Sequence, residues 1–265
     1  MFDTASPDLP PGDAAFEHLG GRGSLIILCD HATNRIPPEY GCLGLPAPEL
    51  NRHIAYDIGA AALTRALAAR LEARAVLSGF SRLLIDPNRG LDDPTLVMRL
   101  SDGTVVPGNA RIDQTERARR IARFYRSYDQ AVAESIRAVE AERLRPILFS
   151  IHSFTPFWKG WPRPWHAGVL YGRDARLATP LLALLREDPG LLVGDNEPYG
   201  GQLEGDTLDR HAVRQNRLHV LLEVRQDLIA SEGGVLAWTE RLVPILERLV
   251  AGVDRTVPAT AEAAA

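Results

Sequence analysis

Lysine is almost absent from this chain. The 265 residues include 30 basic ones, but only Lys159 is a lysine, so the other 29 are arginines. A lysine nucleophile or Schiff base therefore has one candidate at most. The arginines carry forked guanidinium groups that suit carboxylate ligands. The composition thus disfavours covalent catalysis by lysine. It provides many arginines that could bind a carboxylate.

Cysteine is also scarce, and long apolar runs are missing. Cys29 and Cys42 are too few for a disulfide framework or a four-cysteine zinc site, so we expect a reducing, cytoplasmic setting. No stretch approaches the roughly 18 apolar residues of a membrane span. Residues 1–23 are acidic and rich in proline and glycine, unlike a signal peptide. We expect no export and no membrane partner.

Basic charge is not in excess either. The 30 basic residues face 34 acidic ones, which gives a formal net charge of -4. Such a balance supplies no positive field of the kind that dominates binding to a phosphate backbone. We therefore expect no nucleic-acid partner.

Strands alternate with helices along the whole chain. Apolar runs predict strands at 25–29, 76–77, 83–85, 146–151, 169–171, 191–193 and 218–224. Apolar spacings of three and four predict helices at 58–71, 114–143, 175–185 and 236–250. This order is typical of a three-layer α/β/α sandwich around a mixed, mostly parallel sheet. We expect a single catalytic domain over 1–265, with flexible tails at 1–22 and 256–265.

Polar side chains follow four of the predicted strands. They lie in Asp30–Asn34, Asp86–Arg89, His152–Phe154 and Glu223–Arg225. Ligands of open α/β sheets bind beyond the carboxyl ends of the strands, so we expect these segments to form one site.

The residue types in these segments suit hydrolysis assisted by a metal. His31 and His152, with a carboxylate or a water, can hold Zn²⁺ with an open coordination position. Glu223 can take a proton from water and deliver it to a leaving amine. Asn88 and Arg89 can hold a carboxylate through charge-assisted hydrogen bonds. Together they predict amide hydrolysis on an acidic substrate.

Five segments of the sequence resemble the N-formylglutamate amidohydrolase family. They are CDHATNRIP (29–37), RHIAYDIGA (52–60), SRLLIDPNR (81–89), HSFTP (152–156) and LLEVRQDL (221–228). The similarity keeps the order of the motifs from about Leu25 to Leu228. It implies a zinc-dependent enzyme that releases formate from N-formyl-L-glutamate in histidine degradation.

A more distant resemblance, to zinc carboxypeptidases, implies roles for individual residues. That family carries, in the same order, a His-x-x-Glu ligand pair, an Asn-Arg pair for the substrate carboxylate, a last histidine ligand and a late glutamate base. The resemblance implies that His31 and His152 bind the metal and that Glu223 is the catalytic base. Asn88 and Arg89 would hold the substrate carboxylate.

The chain departs from the carboxypeptidase pattern at Asn34, where that pattern has a glutamate ligand. Asparagine is a poor zinc ligand, so we assign Asn34 to substrate binding and seek the third ligand elsewhere. Asp57 is the preferred candidate because a carboxylate supplies the missing charge, and His53 competes with it. A helix N-cap is the structural alternative for Asp57.

Three other features have both a structural and a functional interpretation. The segment 197–211 is either a surface loop or a flap that brings Tyr199 or His211 to the substrate. Arg82 either contacts the substrate or forms an ion pair with Asp86. The aromatic run 157–165 either lines the pocket or packs as a loop or subunit contact.

The resulting hypothesis is an amidohydrolase with Zn²⁺ at His31, Asp57 and His152. Its partner is a small N-acyl amino acid, and it acts as a monomer or small homo-oligomer. Two alternatives are hydrolysis of another N-acyl amino acid or small peptide, and a non-catalytic member of the same fold that binds an acidic metabolite. Zinc content separates an enzyme from the non-catalytic member, and a substrate panel separates the two hydrolases.

Overall fold

A seven-stranded mixed sheet lies at the centre of the computed structural model, which describes residues 14–201 and 203–256. The strands are β1 Phe16–Leu19, β2 Leu25–Cys29, β3 Arg74–Ser78, β4 Leu100–Ser101, β5 Thr104–Val105, β6 Ile147–Phe154, β7 Phe157–Trp158, β8 Trp161–Pro162, β9 Ala167–Leu170, β10 Val193–Asp195 and β11 Leu218–Arg225. The order in the large sheet is β1-β3-β2-β6-β11-β9-β10, while β4 with β5 and β7 with β8 form small hairpins.

Parallel pairing dominates the large sheet. β3, β2, β6 and β11 run in one direction in its middle, and β1, β9 and β10 run in the other. Strands β2, β3 and β6 are buried along their whole length, as expected of parallel strands covered on both faces. The mixed, mostly parallel sheet predicted from the sequence is confirmed.

Helices cover both faces of the sheet. They are α1 Ala60–Leu71, α2 Gln114–Arg120, α3 Arg126–Ala141, α4 Ala178–Leu185, α5 Thr207–His211 and α6 Glu232–Thr256. On one face, α1, α4 and α6 pack with Ile27 and Leu77. On the other face, α3 packs with the alternate strand residues Ile26 and Val76. The three-layer sandwich is therefore confirmed, with a hydrophobic core on each side of the sheet.

The strand predicted at 83–85 is wrong. Leu83, Leu84 and Ile85 are fully buried but lie in a turn after β3. Side chains satisfy the backbone carbonyls that a neighbouring strand would otherwise bind: Asn109 donates to Leu83 O at 2.7 Å, and Arg120 donates to Leu84 O at 2.9 Å. Because these polar groups have partners, the apolar run is buried without joining the sheet.

The long helix predicted at 114–143 is present with one irregularity. α2 and α3 continue into each other through a π-helical turn at Ile121–Tyr125. The helices predicted at 58–71, 175–185 and 236–250 correspond to α1, α4 and α6, and α6 extends further in both directions.

The tail predicted at 1–22 needs a correction in its described part. Phe16–Leu19 pairs antiparallel with β3 as an edge strand. Residues 1–13, and 257–265 of the other predicted tail, lie outside the described residues, and Thr256 ends α6. Within the ranges that the structure describes, no helix is both long and apolar enough to cross a membrane.

Candidate active site

Three neighbouring strands bring the candidate site together at one edge of the sheet. Asp30 and His31 directly follow β2, and His152 lies near the carboxyl end of β6. Glu223 of β11 is the register partner of His152. The sequence predicted that the side chains at these strand ends lie together, and in the structure His31, His152 and Glu223 do.

Asp57 reaches the site from the loop before α1. Its backbone N–H donates to His31 O at 2.9 Å, and Gly59 rather than Asp57 occupies the N-cap position of α1. Gly59 has φ +81°, and a Cβ there would lie 2.2 Å from Ile229 O, so this close turn requires glycine. The loop thus frees the Asp57 side chain from capping and directs it toward the histidines.

His31, Asp57 and His152 form a buried cluster whose ligand atoms lie within 4.8 Å of one another. The Nδ1 atoms of His152 and His31 lie 2.8 Å and 3.4 Å from the same Asp57 oxygen, Oδ2. The two rings meet edge to face with centroids 5.0 Å apart. Two imidazole nitrogens and one carboxylate oxygen that converge in this way are a donor set suited to Zn²⁺.

The Nε2 atom of each histidine, on the far side of the ring from Asp57, contacts another buried carboxylate. His31 Nε2 lies 2.7 Å from Asp86 Oδ1, and His152 Nε2 lies 3.1 Å from Asp30 Oδ2. Histidines that bind metals usually donate their second N–H to such a partner, which fixes the tautomer and the ring orientation. With Nε2 held in this way, Nδ1 is the nitrogen left for a metal in both rings.

Asp30 and Asp86 were missed as site residues by the sequence reasoning. The signal was present, because both lie in the polar segments that follow strands. Hydroxyl groups also fix Asp30: Thr207 donates to Oδ1 at 2.6 Å and Tyr128 donates to it at 3.0 Å. Asp86 also accepts the Asn88 backbone N–H at 2.9 Å.

Arg82 lines the cavity and is paired with carboxylates. Its Nη2 donates to Asp86 Oδ2 at 2.9 Å, and its Nη1 lies 3.5 Å from Asp57 Oδ1. Of the two interpretations left open for Arg82, the ion pair with Asp86 is therefore present.

Buried aspartates at this site favour their charged forms. Burial acts to raise the pKa of Asp30, but the hydrogen bond and charge of His152 outweigh it and lower that pKa to about 2. The pKa values of Asp57 and Asp86 are lowered despite burial, by the two histidines for Asp57 and by Arg82 and His31 for Asp86.

Glu223 behaves in the opposite way. Burial raises its pKa to about 7, against the opposing charges of His152 and His31. Its Oε2 is closed off from solvent and has no hydrogen-bond partner in the described part of the chain. An unpaired carboxylate oxygen is expensive to bury, so this atom is aimed at a group that joins the site, such as a metal, a water or a substrate.

A cavity of about 470 Å³ opens in front of the cluster. Asn88, Arg89 and Tyr199 line it together with His31, Asp57, His152 and Glu223. Arg89 forms no ion pair among residues 14–201 and 203–256, although its charge helps to lower the pKa of Asp86, and its Nη1 donates to the Asn88 carbonyl at 3.1 Å. A free guanidinium on the cavity wall suits an anionic ligand.

Two residues predicted to bind substrate lie elsewhere. Asn34 donates to Leu50 O at 2.9 Å and holds the neighbouring loop, outside the cavity. His211 lies 2.7 Å from Asp129 Oδ1 on α3, also outside the cavity. We correct both assignments, because these side chains are already engaged in packing one segment against another.

His53, the competing third ligand, lines the cavity without joining the cluster. Its Nε2 lies 3.6 Å from Asp102, and its ring stands edge to face against Trp158 at 6.2 Å. Trp158 also lines the cavity, so part of the aromatic run 157–165 walls the pocket.

Comparisons with known proteins identify a family and several solved structures of similar fold. A family model described as N-formylglutamate amidohydrolase matches residues 23–230. A gene product of Agrobacterium tumefaciens is 33% identical, with a TM-score of 0.87 over 95% of this chain and 100% of that one. An N-formylglutamate amidohydrolase from Ralstonia eutropha is 24% identical, with a TM-score of 0.66 over 92% and 99%. No curated protein matches the chain.

Other structural matches are more distant. A metallo-carboxypeptidase from Burkholderia cenocepacia is 13% identical over 90% of this chain and 61% of that one, with a TM-score of 0.43. This similarity is too low to compare the two sites.

Proposed function

The chain belongs to the N-formylglutamate amidohydrolase family, and from this premise we propose that it hydrolyses N-formyl-L-glutamate to formate and L-glutamate. The family makes it a hydrolase of amides and confirms the resemblance seen in the five motifs. This substrate would place the reaction in histidine degradation. The observation that carries the proposal is the unpartnered Oε2 of Glu223, a residue that lines the same cavity as the convergent His31, Asp57 and His152.

His31, Asp57 and His152 would hold the metal, which we propose to be Zn²⁺. Bound zinc supplies a Lewis acid that polarises a carbonyl and lowers the pKa of water. The protein's own contribution is orientation: Asp86 and Asp30 fix the two rings so that both Nδ1 atoms face Asp57 Oδ2. Arg82 in turn neutralises part of the carboxylate charge behind the site.

Glu223 would move the proton. In the proposed reaction it takes one proton from the attacking water, whose oxygen forms a bond to the formyl carbon. Glu223 then delivers that proton to the amide nitrogen as the carbon–nitrogen bond breaks. The other hydrogen of the water leaves with formic acid, which ionises to formate in solution. One water is consumed for each formate and each glutamate.

Arg89 and Asn88 would dock the α-carboxylate of the substrate. The Arg89 guanidinium forms no ion pair in the described residues, and the Asn88 amide Oδ1 is fixed by the Thr207 backbone N–H at 3.1 Å. A fixed amide beside a free guanidinium gives directed, charge-assisted hydrogen bonds to one carboxylate. Both groups lie on the wall of the same cavity as Glu223.

The test combines zinc content with formate release from N-formyl-L-glutamate. We expect stoichiometric zinc in the wild type and in Glu223→Gln, and loss of zinc in His152→Ala. Glu223→Gln should lose at least about 100-fold in rate, because general acid–base catalysis contributes on that scale. His152→Ala should lose activity together with the metal. Glu247→Gln, an exposed position on α6, is the matched control. Full activity without metal would overturn the zinc assignment, and an unchanged rate in Glu223→Gln would overturn the role of the base.

A further inference from the structure

Arg163 is a buried arginine enclosed by aromatic side chains. It follows the β7–β8 hairpin and is 8% exposed. The centre of its guanidinium lies 4.8 Å from the ring of Tyr199, 5.1 Å from Trp158 and 5.9 Å from Phe154. Its Nη1 donates to Tyr199 OH at 2.8 Å and to Thr155 Oγ1 at 3.3 Å.

Arg163 differs from the other buried arginines because it lacks a carboxylate partner. Arg74 forms an ion pair with Glu142, and Arg120 forms one with Glu116 at 2.7 Å. Within residues 14–201 and 203–256, no carboxylate lies within ion-pair distance of Arg163. Aromatic faces and two neutral oxygens stabilise a guanidinium but do not cancel its charge, so a buried cation remains without a counter-ion.

One side of this guanidinium makes no hydrogen bond. Its Nε and Nη2 have no hydrogen-bond partner in the described chain, and neither is among the fully enclosed polar atoms without a partner. The four residues that surround Arg163, namely Phe154, Thr155, Trp158 and Tyr199, all line the cavity of the site. Arg163 therefore lies directly behind the cavity wall, next to the space that a ligand would fill.

Arg89 on the cavity wall and Arg163 directly behind it thus form no ion pair among the described residues, whereas Asp57 and Asp86 neutralise Arg82. A formylated acidic amino acid carries two carboxylates. We propose that Arg163 binds the side-chain carboxylate of the substrate while Arg89 binds the α-carboxylate, which makes Arg163 the residue that selects an acidic side chain. This inference rests on the proposed function.

The test compares N-formyl-L-glutamate with N-formyl-L-glutamine, its neutral counterpart of nearly equal size. The readout is the ratio of the two kcat/KM values. In Arg163→Met we expect this ratio to fall by about 100-fold, as when one partner of a buried charge pair is removed. Arg89→Met should lower both kcat/KM values and keep the ratio, because the α-carboxylate is common to both substrates.

Two further variants separate recognition from folding. Arg163→Lys keeps the positive charge and should retain more of the preference for glutamate than Arg163→Met does. Arg145→Met is the matched control, because Arg145 is exposed and precedes the amino end of β6, while the site lies toward its carboxyl end. A ratio unchanged in Arg163→Met, or a wild type that does not prefer glutamate, would overturn the proposal.

Binding of glutarate and butyrate by calorimetry separates this proposal from the proposed function. If the wild type hydrolyses neither formyl substrate, the proposed function fails. Glutarate that binds the wild type more tightly than butyrate does, with the difference lost in Arg163→Met, would still support Arg163 as a carboxylate site. Equal binding of glutarate to the wild type and Arg163→Met would refute it.

Discussion

Asp86→Asn is the perturbation that tests the support of the metal site most directly. Asp86 is fully buried, and its two oxygens serve three partners. Oδ1 lies 2.7 Å from His31 Nε2 and accepts the Asn88 backbone N–H at 2.9 Å, while Oδ2 accepts Arg82 Nη2 at 2.9 Å. One carboxylate therefore orients a metal ligand, neutralises an arginine and fixes the turn before Arg89.

Asparagine has nearly the same shape but no charge, and only one of its two terminal atoms accepts hydrogen bonds. One of the three donors then faces an NH₂ group. Among the described residues, Arg82 then keeps one ion pair, with Asp57 at 3.5 Å. Removing one member of a buried ion pair costs about 3 kcal/mol or more. Loss of a carboxylate behind a metal-binding histidine weakens metal affinity by about 10- to 100-fold.

The assay is zinc affinity by competition with a chelator, together with urea unfolding of the metal-free protein. We expect Asp86→Asn to bind zinc about 30-fold more weakly and to lose about 3 kcal/mol of unfolding free energy. Asp92→Asn, an exposed aspartate in the next loop, should match the wild type in both measurements. Zinc affinity within about threefold of the wild type would refute the claim that Asp86 orients His31. Unchanged unfolding would refute the cost assigned to Arg82.

Two further substitutions test the surroundings of the site. Tyr125 OH donates to Arg89 O at 2.9 Å, so Tyr125→Phe should raise KM several-fold with little change in kcat and cost about 1 kcal/mol of stability. The control Tyr40→Phe removes a hydroxyl without a partner in the described residues and should not destabilise, and a fall in kcat alone in Tyr125→Phe would contradict the positioning role. Burial raises the pKa of Asp206 from 3.8 to about 6, so its carboxyl stabilises the fold at low pH and loses that contribution as pH rises through about 6. Asp206→Asn should therefore gain up to about 3 kcal/mol of unfolding free energy over the wild type between about pH 4 and 7, and a pH-independent difference would contradict this.

Much of the site could be predicted because the ends of buried strands can be recognised in the sequence. Continuous apolar runs mark strands buried on both faces, and the residues that follow them share one edge of a parallel sheet. This reasoning brought together His31, His152 and Glu223, which are separated by up to 192 positions in the chain. It also located Arg89 on the cavity wall.

Other residues could not be assigned because their roles depend on tertiary contacts. Asp57 looked equally suited to a metal or to a helix cap, and the turn at Gly59 decides where its carboxylate points. Arg163 looks ordinary among 29 arginines until the absence of a carboxylate around it, within the described chain, becomes visible. A charge pattern along the sequence does not reveal which charges have a partner after folding.

Segment 83–85 shows the same limit for the fold. Its apolar run is as buried as a strand, but the side chains that satisfy its carbonyls, Asn109 and Arg120, come from other segments. Apolar periodicity reports burial and does not report where the backbone hydrogen bonds go. Arg120 also forms an ion pair with Glu116 on its own helix.

The charges of the cluster themselves argue for a divalent cation. Asp30, Asp57 and Asp86 contribute three negative charges and Arg82 contributes one positive charge, so neutral histidines leave an excess of two negative charges. Burial acts to lower the pKa of His152, but the hydrogen bonds and charges of Asp30 and Asp57 outweigh it and raise that pKa, so without a cation a proton on His152 cancels one of these charges. A second proton, on His31, would put two like charges on rings whose centroids are 5.0 Å apart. A single divalent ion cancels it at one point, and both Nδ1 atoms already face the same Asp57 oxygen. This arrangement supports the proposal that the three ligands share one cation, rather than forming two separate ion pairs.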